Sequence, residues 1–370
     1  MSKLIELEQM GQSIWLDYIQ RSMITSGELK QLIDIGLRGV TSNPAIFEKA
    51  IAGSNDYDED LKQLIKTDQS IEHIYEDLAI KDISMATDQL RGVYDSSGGK
   101  DGYVSLEVNP ELAYETEKTI AEAKRLFETV NRPNVMIKVP ATQAGLPAIT
   151  ELIGSGVNIN VTLIFGLQNY KAVTGAYQSG LEKLAATAPR VKGGHPIDKV
   201  ASVASFFISR VDTAVDKELE KMGANELLGK IAVANSKIAY VEYKKILEQS
   251  RWQQLADKGA RVQRVLWAST STKNPAYPDN LYVDELIGPA TVNTLPPSTL
   301  ESFLDHGRVA QTLTEGIAEA QSRLTKLAEL GIDLEAITQK LQDDGVVAFA
   351  KPFKKLLESI AEKCQLLRAA

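Results

Sequence analysis

The chain has 370 residues, with 41 basic and 49 acidic side chains, a formal net charge of −8 and 44% hydrophobic residues. That balance suits a globular chain with a large core; the negative charge disfavours nucleic acid as a partner, and no stretch approaches the ~18 apolar residues of a membrane span. The single cysteine, Cys364, forms no internal disulfide, and the start MSKLIELEQMG lacks the basic and apolar regions of a secretory leader, so a cytoplasmic location is expected.

Short apolar runs alternate with longer amphipathic stretches, the pattern of repeated β-α units around a parallel sheet. In chain order the runs are SIWLD (13–17), GVTSN (39–43), YVSLEV (103–108), VMIKV (135–139), VNINVTLI (157–164), KVASVAS (199–205), VQRVLWAS (262–269) and ATVNTL (290–295). Eight such units predict a closed (β/α)8 barrel of the TIM type. Helical patterns lie between them, and the one over 110–130 opens with a proline at a helix start. A barrel needs ~250 residues, so the surplus is expected as additional helices. These fall between the second and third strands (44–101), between the sixth and seventh (206–261), and after Pro296-Pro297, where a helical extension (298–370) has Gly307, Gly331 and Gly345 as expected breaks. Without a linker rich in Pro, Gly or Ser, residues 1–370 are read as one domain with that extension packed on the barrel.

Polar residues gather at the C-terminal ends of the strands: Asp17, Asn43, Glu107, Lys138, Asn160 with Thr162, Ser205 and Ser269. That is the face on which the βα loops of such barrels build active sites, whereas structural polarity is expected at both ends. Residues two apart share a face of a strand, so Thr41 with Asn43, Ser105 with Glu107, Met136 with Lys138 and Asn160 with Thr162 fit one inward register. Taken singly, Asp17 or Asn43 could cap a following helix, Ser205 could be a satisfied hydroxyl, and Glu107 with Lys138 a buried structural ion pair.

Lys138 stands among Val135, Met136, Ile137 and Val139. Burial disfavours its ammonium and is expected to lower its pKa from the usual ~10.4, making a neutral amine available to attack a carbonyl. The resulting iminium is an electron sink, and the Asp17 and Glu107 carboxylates can move the protons of a carbon–carbon cleavage in a ketose. Arg210, in SFFISRVD after the sixth strand, and Ser269, Ser271 and Lys273, in WASTSTKNP after the seventh, are candidates for holding a phosphate. The glycine-rich SSGGKDG (96–102) and GSGVN (154–158) precede strands and need only turn roles. His73, His195 and His306 stand far apart and are read as surface or packing residues, so no metal site is expected.

The motifs GVTSNPAIF (39–47), SLEVNP (105–110), VMIKVPAT (135–142), GVNINVTLIF (156–165), ASFFISRVD (204–212) and LWASTSTKNP (266–275) resemble, in order, those of the transaldolases in their longer form, from Asp17 to about Thr299. The resemblance implies a (β/α)8 enzyme of the pentose phosphate pathway, with no metal or organic cofactor. It would move a dihydroxyacetone unit from sedoheptulose 7-phosphate to glyceraldehyde 3-phosphate, giving erythrose 4-phosphate and fructose 6-phosphate. It further implies that Lys138 forms the Schiff base, that Glu107 shuttles protons through a water, and that Asp17 takes the C4 hydroxyl proton. Asn43 and Asn160 match residues that hold substrate hydroxyls, Thr41, Thr162 and Ser205 match hydroxyls that position the water and lysine, and Phe207 matches an aromatic wall. Arg210 and Ser269 match the phosphate site. The common short transaldolases carry an arginine soon after that serine, whereas this chain reads Ser-Thr-Ser-Thr-Lys, leaving Lys273 as its substitute.

Two other readings stand beside this one. A fructose 6-phosphate aldolase of the same superfamily releases dihydroxyacetone to water, but handles that water with a tyrosine and lacks the third-strand carboxylate that Glu107 supplies here. A barrel that binds sugar phosphates without catalysis does not require a lysine in an apolar strand. The expected partners are small sugar phosphates, and a monomer and a homodimer fit the sequence equally.

Overall fold

A computed structural model of the chain describes residues 2–187 and 197–369, and its eight parallel strands close into a barrel in chain order. They are β1 (Gln12–Asp17), β2 (Leu37–Thr41), β3 (Tyr103–Glu107), β4 (Val135–Pro140), β5 (Ile159–Ile164), β6 (Ser202–Phe207), β7 (Arg264–Ala268) and β8 (Thr291–Leu295). The strands are buried almost throughout because helices cover the outside and side chains fill the inside. No helix among the described residues is long and apolar enough to cross a membrane.

Several boundaries differ from the expected ones for local reasons. β2 stops at Thr41 because Asn43 turns to cap the helix Pro44–Ala52, its Oδ1 accepting from the Ile46 amide at 3.0 Å. β6 starts at Ser202 because Ile197–Lys199 is a 3₁₀ turn. The helix expected from Pro110 is a 3₁₀ turn, Pro110–Leu112, followed by an α-helix only at Thr116. The carbonyls of Leu112 and Ala113 accept from the Thr119 hydroxyl (2.9 Å) and the buried Thr142 hydroxyl (2.5 Å).

The expectation that strand polarity keeps to the C-terminal ends is also corrected. At the opposite end, Arg264 and Asp101 form a buried ion pair at 2.8 Å, and Asp101 also accepts from Ser13 Oγ (2.8 Å) and Trp15 Nε1 (3.3 Å). This polar floor is closed within the protein, since the Arg264 guanidinium donates further to Ser13 Oγ and to the Lys100 carbonyl.

Gly345, expected to break a helix, lies inside the 36-residue helix Leu334–Ala369. Its bare Cα faces Leu163, whose Cδ2 would be 3.0 Å from a Cβ at that position. Leu163 itself has φ of 61° in a β5 bulge between Val161 and Ile164. Gln342, one turn earlier on the same helix, donates to the Leu163 carbonyl at 3.0 Å and the Ala141 carbonyl at 2.9 Å. These contacts, with packing on Pro44–Ala52, carry the last helix across the C-terminal mouth of the barrel.

Candidate active site

Strand register brings the polar ends together. Asp17 pairs with Thr41, Glu107 with Lys138, and Lys138 with Asn160, so five neighbouring strands each contribute a polar residue towards the same mouth of the barrel. The inward register is visible in hydrogen bonds that cross the barrel: Asn160 Nδ2 donates to Ser105 Oγ at 3.0 Å, and Ser205 Oγ donates to Asn160 Oδ1 at 2.6 Å. Above them opens a cavity of about 260 Å³, close to the size of the smallest ligand pockets. Ten of the twelve expected site residues line it: Asp17, Thr41, Asn43, Lys138, Thr162, Ser205, Phe207, Arg210, Ser269 and Lys273. A roomier hollow of about 530 Å³, beside Lys124, Arg132 and Val157 at the other end of the barrel, receives none of these residues.

Glu107 and Asn160 do not line the cavity. Asn160 is fully buried beneath it, with both ends of its amide engaged. Glu107 lies beside Lys138, Oε1 to Nζ 3.8 Å, with the two side chains 9% and 7% exposed. That separation exceeds a hydrogen bond. Lys138 Nζ instead donates to the Ser42 carbonyl at 3.0 Å. Glu107 Oε2 and Thr162 Oγ1 are buried without a hydrogen-bond partner among the described residues.

The two carboxyls are held above the ordinary range. Burial raises Glu107, against the pull of Lys138 and with a further push from Asp17. Burial likewise raises Asp17, opposed by Lys138, by the Thr41 hydroxyl that donates to it at 2.7 Å, and by Lys273. Thus Asp17 bonds across to β2 rather than capping a helix, whereas Asn43 caps one and still borders the cavity.

The other side of the cavity is cationic. The Arg210 guanidinium, 5.8 Å from the centre of the Phe207 ring, has no hydrogen-bonding or ionic partner among the described residues. Burial lowers its proton affinity. Lys273 donates to Ser271 Oγ at 2.6 Å, and its pKa is lowered by burial and by Arg210, with Asp17 acting in the opposite sense. Ser269, with φ of 57°, shares a hydrogen bond of 2.8 Å with Ser209. Two cations and several hydroxyls therefore converge without a paired carboxylate, an arrangement complementary to a small dianion.

Sequence reasoning missed the residues that close the cavity from β8 and from the last helix, including Thr294, Pro296, Ala348 and Phe349. The Phe349 ring centre lies 5.9 Å from Lys138 Nζ. A lone aromatic in an amphipathic pattern carries no signal of such a role. His73 is exposed and His306 lies on the surface, 3.0 Å from both Asp279 and Asp305, while His195 lies outside the described residues. Among the described residues no three His, Cys, Asp or Glu side chains are grouped to hold a metal.

The sequence matches the Transaldolase/Fructose-6-phosphate aldolase family over residues 14–360. It is 47% identical to "Transaldolase 2" of a Nostoc species, 47% to "Transaldolase" of Trichodesmium erythraeum, and 48% to "Transaldolase" of a Parafrankia species, each over 98% of both chains. With a closed eightfold barrel and a lysine at the end of its fourth strand, the chain belongs to the transaldolase/fructose-6-phosphate aldolase family.

Proposed function

We infer that this protein is a transaldolase that carries a dihydroxyacetone unit on Lys138 from sedoheptulose 7-phosphate to glyceraldehyde 3-phosphate. The observation that supports this most is the buried Lys138 beside Glu107, in one cavity with Asp17 and a cationic rim. The Lys138 amine adds to the ketose C2 carbonyl, and loss of water leaves an iminium. A gap of 3.8 Å between Glu107 and Nζ is too long for direct proton transfer and suits transfer through one bridging water, which Thr162 Oγ1, a hydroxyl without a hydrogen-bond partner among the described residues, would orient. Asp17, with raised proton affinity, takes the C4 hydroxyl proton as the C3–C4 bond breaks. The electron pair of that bond passes to the iminium, giving an enamine while the aldose phosphate leaves. The enamine carbon then attacks the aldehyde of the acceptor, and hydrolysis frees Lys138.

In this reading Arg210, Lys273 and Ser269 anchor the phosphate, Phe207 is a wall, Asn43 holds substrate hydroxyls, and Thr41 and Ser205 position the water and the lysine. Asn160 would have to exchange one of its present bonds to reach a substrate hydroxyl. The reading extends to a cytoplasmic enzyme of one domain, with residues 298–370 packed on the barrel, working as a monomer or a homodimer without a cofactor. Incubation with fructose 6-phosphate and borohydride should fix a three-carbon adduct on Lys138, located by peptide mass spectrometry. An adduct elsewhere, or none, refutes the mechanism. The family also contains fructose-6-phosphate aldolases, and Glu107 favours transfer over release. Added erythrose 4-phosphate should therefore yield sedoheptulose 7-phosphate with little free dihydroxyacetone.

A further inference from the structure

The helix Ser209–Met222 begins at the end of β6, and its second residue is Arg210. Helical residues advance by about 100° each, so Asp212 lies roughly on the side opposite Arg210, and Asp216 follows one turn later on the same face. Both carboxylates are buried. Asp212 accepts from the Ala232 amide (2.7 Å) in the first turn of the helix Ile231–Glu248, and from the Tyr282 hydroxyl (2.9 Å). Asp216 accepts from the Gly229 amide (3.1 Å) and from the Tyr277 hydroxyl (2.7 Å).

Tyr277 and Tyr282 belong to the connection from β7 to β8, the same segment that carries Ser269, Ser271 and Lys273. Tyr277 is tied to the neighbourhood of Lys273 by a turn. Its amide donates to the Asn274 carbonyl (3.1 Å), and Asn274 Oδ1 accepts from the Ala276 amide (3.0 Å). The Tyr277 ring lies flat against Gly229, where a Cβ would come within 2.7 Å of ring carbon Cζ and where φ is 68°. The connection is therefore fastened to the back of the helix whose front presents Arg210.

Arg210 and Lys273 are like charges that line one cavity, where they repel each other. A connection held only by its ends would relax so as to separate them. Two buried carboxylates are a costly way to hold a seam that apolar side chains would fill as well, so their geometry is what the seam gains from them. We propose that Asp212 and Asp216, acting through the hydroxyls of Tyr282 and Tyr277, are positioning residues for the phosphate end of the substrate: they hold Lys273 opposite Arg210 against the repulsion of the two cations. The proposal rests on the reading of Arg210 and Lys273 as the phosphate anchor.

Tyr277→Phe keeps the ring on Gly229 and removes the bond to Asp216. At saturating fructose 6-phosphate, it should raise KM for erythrose 4-phosphate and the inhibition constant of inorganic phosphate about fivefold, the scale of one lost hydrogen bond. KM for unphosphorylated erythrose, and kcat, should stay within about twofold. Lys273→Ala should raise the same two constants at least as far, and the double variant should go no further than Lys273→Ala alone. If Lys273→Ala weakens phosphate but Tyr277→Phe lowers only the denaturation midpoint, or if the two effects add, the positioning role is overturned. If Lys273→Ala leaves the phosphate constant unchanged, the anchor reading itself fails and the proposal with it. Asp216→Asn, which retains an acceptor for the Gly229 amide, repeats the comparison should Tyr277→Phe fold poorly.

Discussion

Replacing Arg210 by methionine should weaken catalysis and strengthen the fold at the same time. In the free protein the guanidinium is partly buried, lies 5.8 Å from the Phe207 ring centre, and meets the like charge of Lys273. Methionine keeps much of the apolar stem on Phe207 while removing a charge that burial disfavours. Such changes at function-bearing sites commonly add about 0.5–2 kcal/mol of stability, and the lost cation–ring contact subtracts about 0.5–1 kcal/mol. The net expectation is a gain of a few tenths to about 1 kcal/mol, read as a higher urea midpoint. Two charge-assisted hydrogen bonds to a phosphate, each worth roughly 1.5–3 kcal/mol, disappear with the guanidinium. On the order of 10²- to 10⁴-fold should therefore be lost from kcat/KM for erythrose 4-phosphate, and little for unphosphorylated erythrose. A variant that is less stable by more than about 1 kcal/mol and equally impaired on both acceptors would show that Arg210 is a packing residue.

Two further outcomes test the frame around the site. Asp101→Asn leaves Arg264 charged in the barrel floor; although burial by itself raises the Asp101 pKa, Arg264, Ser13 and Trp15 hold it below the usual carboxylate range. Breaking such a pair should cost about 3–5 kcal/mol, while kcat of the folded fraction stays unchanged because the floor is at the other end of the barrel from Lys138. Asp212 is raised from 3.8 to about 7, first by burial, with the Asp216 charge adding to it and the Ala232 and Ile231 amides and the Tyr282 hydroxyl opposing it. Folding therefore takes up a proton between those values, and this group's contribution falls as pH rises from about 4 to about 7, by on the order of 4 kcal/mol. Urea midpoints of Asp212→Asn should vary less across that window than those of the parent protein; parallel profiles would contradict the assignment.

The barrel was legible because each β-α unit carries its own signal, a short apolar run and an amphipathic stretch of helical period, and all but the eighth add a polar residue at the strand end. Asp17, Thr41, Lys138, Thr162 and Ser205 could be placed on one mouth because strand parity is a local property and parallel closure in chain order puts all C-terminal ends on one side. Local pattern failed where contacts join distant segments. Gly345 reads as a helix break by propensity, yet its bare Cα packs closely against Leu163, and the helix continues. Phe349 roofs Lys138 from more than two hundred residues away, and the bonds of Asp212 and Asp216 to Tyr282 and Tyr277 span 70 and 61 residues. By itself the sequence determined the repeat, the polar residues that gather at one mouth of the barrel and a lysine within an apolar strand. Only the tertiary structure decided that Glu107 stands 3.8 Å from that lysine, that the last helix covers it, and that Arg210 and Lys273 line one cavity. Those relations depend on barrel stagger and long-range packing, which leave no period in the chain.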